Sequence, residues 1–193
     1  LGARGDAARR TLVREYPFGM RRIDARGLVA LTEEIAIRVL RKAVDWAAGG
    51  APTGRLGQIE TRHAELASAE EMATTLWGAG IARTRDAIAV FREAGRMDVA
   101  ETRVQPGTVI VWDNRFDIAV PAISVPVRIA PAGGLTREQA EEFAGTRIAA
   151  PMTAIVAAPA IRDGDDHLLA IGTLTRPGAP VIALTFAGAG PAV

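Results

Sequence analysis

The sequence predicts an α+β fold: an N-terminal lobe of helices and a β-hairpin, then a smaller, mostly β lobe with one helix. Three observations predict it. The segment from Glu33 to about Ala48 repeats apolar residues with helical spacing and has a stop signal at Gly49-Gly50. From Ile81 to Val120 short β-rich runs alternate with turn dipeptides. After Val120, prolines and glycines punctuate short apolar runs, with a single acidic helix pattern among them. The expected domains are residues 1–120 and 121–193, with the boundary in the stretch holding Pro121, Pro126 and Pro131.

The elements follow in order. Leu1 to Glu15 is rich in arginine and alanine and reads as a helix that stops before Tyr16-Pro17, because the residue before a proline is driven out of the helical region. Its apolar stripe of Ala8, Leu12 and Val13 is thin, so it needs a partner or a longer helix to be stable. Gly19 to Asp24 is a short strand, and Ala25 to Leu31 one turn of helix with Arg26 exposed. Thr32 is an N-cap, and Glu33 and Glu34 favour the positive end of the helix dipole. In that helix Ile35, Ala36, Val39, Leu40, Ala43 and Ala47 share one face; Arg38, Arg41, Lys42 and Asp45 share the other. Residues 51–57 form a loop and Gln58 to Leu66 a second helix, with Ile59, His63 and Leu66 on one side. Ser68 with Glu71 matches a capping box and predicts a further helical turn.

Strands are expected at Ile81–Thr84 and Ala87–Arg92, joined at Arg85-Asp86, and at Thr108–Trp112 after the Pro106-Gly107 turn. Asp113-Asn114 reads as a two-residue hairpin corner, since both residue types tolerate positive φ. Phe116, Ile118 and Val120 then alternate along the returning strand. In the tail, Thr136 with Gln139 predicts a capped helix from Arg137 to Phe143. The runs Ile155–Ala160, Leu168–Ile171 and Val181–Phe186 read as strands.

Composition narrows the function. There are no cysteines, so a disulfide framework, a thiolate metal site and a cysteine nucleophile are excluded. That composition fits a reducing cytoplasm, the expected location. No apolar run is long enough to span a bilayer, so no membrane partner is expected. The first residue is leucine, and the chain is expected to be a fragment with something upstream. Lys42 is the sole lysine. The net charge is +1, which excludes a uniformly basic nucleic-acid binder. The charge is uneven, however. Twelve bases stand against seven acids in residues 1–62, and eleven against fifteen in the rest.

An ordered set of residues carries a resemblance. Leu76-Trp77-Gly78, Ile81, Val90-Phe91-Arg92-Glu93, Pro106-Gly107 and Trp112-Asp113-Asn114-Arg115-Phe116 follow one another in an order that resembles the accessory region of bacterial tRNA(Ile)-lysidine synthetases. Glu33 to Leu40 is similar to the helix that precedes this set in that family. The resemblance covers roughly residues 1 to 120. It departs at Met97-Asp98, where relatives often have Leu-Pro. What it implies is a tRNA partner, a separate N-terminal catalytic domain that uses ATP and Mg, and a substrate-holding role for this region. The family's Ser-Gly-Gly-x-Asp-Ser loop, which cradles pyrophosphate on backbone N–H groups, does not occur here. No ligase activity, cofactor, metal or catalytic residue is therefore expected in this chain.

The expected RNA-binding residues are Arg9, Arg10, Arg14, Arg21, Arg22, Arg38, Arg41 and Lys42, with Arg26 close by. Cations at that density can neutralise backbone phosphates and hold a folded RNA by shape. Tyr16 and Trp46 are expected in the core rather than stacked on a base. Three other features have ordinary structural readings. Gly133-Gly134-Leu135-Thr136 is a helix start, and Asp163, Asp165, Asp166 and His167 around Gly164 form a solvated hairpin turn. Glu93 and Asp113 are expected to pair with Arg92 and Arg115. The competing reading is a protein-interaction or structural module without a nucleic-acid role, docking a partner or forming a homodimer. A small enzyme built on the aspartate–histidine run is a third class.

Overall fold

The computed structural model describes residues 11–50, 54–122, 125–177, 179 and 183–186. These form an α+β fold of five α-helices and three antiparallel sheets. The chain divides into two compact units. One holds the described residues up to Tyr16 together with Met20–Glu93; the other holds Pro17–Gly19 and the described residues from Ala94 onward. The division thus falls at Glu93–Ala94 and not in the proline stretch 121–131. The reason is strand pairing: Thr102–Val104 pairs with Val127–Pro131, which ties the segment before the prolines to the tail behind them.

The first unit is a five-stranded sheet with helices on one face. Its strands are β1 (Val13–Tyr16), β2 (Met20–Asp24), β3 (Met72–Leu76), β4 (Ala79–Arg83) and β5 (Ala87–Arg92), in the order β1-β2-β5-β4-β3. Between β2 and β3 come α1 (Ala25–Val29), α2 (Glu33–Ala47) and α3 (Leu56–Ser68). Helix α2 begins after Thr32 as expected, but the cap works through the Thr32 carbonyl, which accepts from the N–H groups of Ile35 and Ala36 at 2.9 Å each. Its buried residues, Val39, Leu40, Ala43 and Val44 among them, share a core with Ile23, Ile81, Ile88 and Val90 of the sheet. Each large side chain buried there contributes about 1.5–3 kcal/mol. Ile59 and Leu66 fasten α3 to the same core.

Three sequence expectations are corrected. Arg14 and its neighbours do not end a helix: Val13–Tyr16 is a strand, paired with Met20–Asp24. Of the helix expected over residues 1–15, Thr11 and Leu12 are helical, and residues 1–10 lie outside the described part. Extended backbone is what Tyr16 prefers before Pro17, and a β-branched Val13 supports it. Ser68 opens no helix; it closes α3, its hydroxyl donating to the Glu65 carbonyl at 3.0 Å. Met72–Leu76 then forms a strand, because it has β4 to pair with through the positive-φ corner Trp77-Gly78. In the tail, the run Ile155–Ala160 divides into a helix and a strand, since Pro151 stands at the N-cap of a helical turn at Met152–Val156.

The second unit packs two sheets on one core. Strands β6 (Thr102–Val104), β9 (Val127–Pro131), β10 (Pro159–Arg162), β11 (Leu168–Ile171) and β12 (Leu174–Thr175) are ordered β12-β11-β10-β9-β6. Strands β7 (Val109–Trp112), β8 (Phe116–Ala119) and β13 (Ala183–Phe186) are ordered β13-β8-β7. Val104, Trp112, Phe116, Ile118, Val127, Ile129, Ile161 and Leu169 fill the space they share. Helix α4 (Arg137–Ala144) carries the expected capping box, with Thr136 and Gln139 bonded reciprocally; α5 is Met152–Val156. The outer residues of β7, Val109 and Val111, are 69% and 60% exposed.

The corner between β7 and β8 is as expected, with φ of 48° at Asp113 and 51° at Asn114. It delivers Arg115 into the interior, where the side chain is fully buried. Nε donates to Asp113 at 2.7 Å and Nη2 to the Ala157 carbonyl at 2.7 Å. The guanidinium lies 5.2 Å from the Phe116 ring centre and 6.0 Å from that of Trp112. Gly19, with φ of 67°, leaves it room: a methyl there would meet Nη1 at 2.7 Å. Removing one partner of such a buried pair leaves a charge without compensation. Arg115→Ala and Asp113→Ala are each expected to lower the stability of this unit by about 3–5 kcal/mol, measured as a shifted urea transition in circular dichroism.

Candidate nucleic-acid interface

The basic residues of the first unit are sorted by strand and helix geometry. Successive side chains of a strand point to opposite faces of its sheet. In β2 this sends Arg21 and Ile23 toward α2, and Met20, Arg22 and Asp24 away from it. Arg21 is buried, its guanidinium 3.9 Å from the Trp46 ring centre and its Nη2 2.7 Å from Glu15. It is a core residue and is not available to a phosphate. Trp46, covered by Arg21, belongs to the same packing; Tyr16 is half-buried.

Arg22 lies on the other face, directly opposite Arg14 of β1. Both are exposed. Neither has an acidic partner among the described residues. Three of the remaining cations, Arg38, Arg41 and Lys42, lie on α2, across the sheet. Arg38 is exposed but paired with Glu34 one turn back, at 2.7 Å. Arg41 is half-buried, 3.6 Å from Asp45 and 6.0 Å from the Trp77 ring centre. Lys42 is exposed. Arg26, on α1, is 3.1 Å from Asp86. Arg9 and Arg10 lie outside the described residues. The structure therefore brings together Arg14 with Arg22, and separately Arg38 with Lys42, and it withdraws Arg21. The strand prediction at Gly19–Asp24 already contains the signal that separates Arg21 from Arg22; it lies in the alternation, which a count of charges ignores.

The other singled-out residues have structural work. The Thr136 start of α4 spends its side chain on its own cap. Asp163 stands in the β10–β11 turn as expected. Desolvation would raise its carboxyl, but the N–H groups of His167 and Asp165, with the His167 ring at 3.2 Å, outweigh this and hold it below the usual carboxylate range. Asp166 takes a bond from Arg128 at 2.6 Å. Among the described residues, no three of His, Asp and Glu are placed to share a metal ion. Arg92 donates to the carbonyls of Ala48 and Gly78 at 2.8 and 3.4 Å, so Trp77-Gly78 and Arg92 of the resembling set brace one another. His63 is half-buried on α3.

Burial pushes the Asp45 carboxyl above its usual value, against the pull of Arg41. A carboxyl raised on folding costs stability while ionised, and the cost fades as pH falls through the folded-state value. Asp45→Asn is expected to be at least as stable as the parent at neutral pH, with the margin closing as the pH falls toward about 4 and gone below it, as read from thermal melts. No family model matches the chain, and no curated protein matches it.

Proposed function

We propose that this chain is the non-catalytic, tRNA-holding portion of a tRNA(Ile)-lysidine synthetase, the ATP-dependent ligase that attaches lysine to the anticodon cytidine of an isoleucine tRNA. The observation that carries the reading is the set of exposed cations on the first unit, Arg14 and Arg22 on the sheet and Arg38 and Lys42 on α2. The ordered residues of the resemblance support the family, since Trp77-Gly78, Arg92, Asp113 and Arg115 all hold corners of the fold. In this reading ATP and Mg belong to a separate catalytic domain, the setting is cytoplasmic, and the chain alone has no ligase activity. No helix among the described residues is long and apolar enough to cross a membrane.

Binding by backbone contacts is weak and steep in salt, with a log–log slope near about −0.7 to −0.9 per neutralised phosphate. A gel-shift titration with isoleucine tRNA at low salt is expected to show such binding. A variant with Arg14, Arg22, Arg38 and Lys42 all changed to Glu is expected to lose it while keeping the parent circular dichroism spectrum. Equal binding by the two proteins overturns the reading.

One observation favours the second reading, a protein-interaction module: the outward valines of β7 are bare. Light scattering separates the two. A salt-insensitive dimer without RNA affinity supports the module.

A further inference from the structure

The strand register of the first sheet sets five residues in one row across the face turned away from α2. Arg14 is opposite Arg22, Arg22 opposite Ala89, Ala89 opposite Ala82, and Ala82 opposite Ala73. At the usual strand spacing this row is roughly 19 Å long. Two guanidiniums stand at one end and three methyl groups continue from them. Ala73 is exposed and Ala82 and Ala89 are half-buried, so solvent reaches each position of the row.

Two like charges directly opposite one another across a strand pair repel. Elsewhere the fold relieves such charges with an acid: Glu15 for Arg21, Glu34 for Arg38, Asp86 for Arg26. Asp24 is the acid nearest in sequence on this face, and its carboxylate caps α1, accepting from the Arg26 N–H at 3.2 Å. The pair is thus left for an anion that the described residues do not supply. Guanidinium forks match phosphate oxygens in geometry as well as charge. The short alanine side chains let a polymer backbone lie close to the sheet beside them.

We propose that Arg14 and Arg22 are a phosphate-contact site for an RNA backbone, and that the first unit grips RNA by this sheet face and not by the outer side of α2. The inference rests on the RNA-holding reading and narrows it to one surface. Contacts of this kind fix position without reading sequence.

The test compares the parent, Arg14→Ala/Arg22→Ala, Arg14→Lys/Arg22→Lys and Arg38→Ala/Lys42→Ala in salt titrations with isoleucine tRNA. The arginine-to-alanine pair is expected to weaken binding about tenfold at low salt and to flatten the log–log salt slope by roughly 1.5 to 2. The lysine pair is expected to keep the slope, and the α2 pair to bind within about twofold of the parent. Thermal midpoints matching the parent show that the sheet is intact. If the alanine pair binds like the parent, or the α2 pair loses as much, the inference falls while the RNA reading stands. If the parent binds no tRNA at low salt, both fall. Displacement of bound tRNA from the parent by polyglutamate, and not by unrelated RNA, assigns the face to an acidic protein and overturns the inference.

Discussion

A strand has two sides, and in the first unit that constraint distributes the chemistry. β2 lies between β1 and β5, and its residues must alternate between a helix-covered layer and the opposite face, where Met20 is buried and Arg22 and Asp24 reach solvent. Adjacent arginines at 21 and 22 therefore have opposite fates. One is desolvated, and it is tolerable there because Glu15 and the Trp46 ring compensate its charge. The other keeps its water and its charge. A register slip of one residue would exchange them, exposing the apolar partner Ile23 and burying Arg22 without an acid. The core and the cationic surface are fixed by the same register.

The second unit depends on a comparable device at its own centre. A tight corner requires left-handed backbone at two positions, and Asp113-Asn114 supplies residue types that accept it. The corner places Arg115 where Asp113, the Ala157 carbonyl and two aromatic rings can all meet its charge. The five-residue run from Trp112 to Phe116 thus has a structural reason for its order. The aromatic at each end fills the core, the acid and base pair across the turn, and the middle position bends.

Much of this is legible in the sequence. Helix α2 can be read from its spacing, from Thr32 and from Gly49-Gly50, and Ala87–Arg92 from its β-rich run, because in both cases local preference and final environment agree. The hairpin corner can be read for the same reason. What cannot be read depends on distant partners. Val13–Tyr16 is polar and short, and only pairing with β2 makes it a strand. Ser68-x-x-Glu71 satisfies a helix-start pattern, yet the residues that follow find a better partner in β4. The candidate interface is legible as a list of arginines but not as a surface, since grouping them requires knowing which way each strand faces.

The outer row of β7 has its own consequence. Among the described strands β7 ends its sheet, and Val109 and Val111 carry neither the charge nor the proline with which proteins usually guard such a border. An extended segment of another chain could continue the ladder there and cover two valines in the same step. A border of this kind is one place where ordered aggregation can begin in concentrated or partly unfolded preparations.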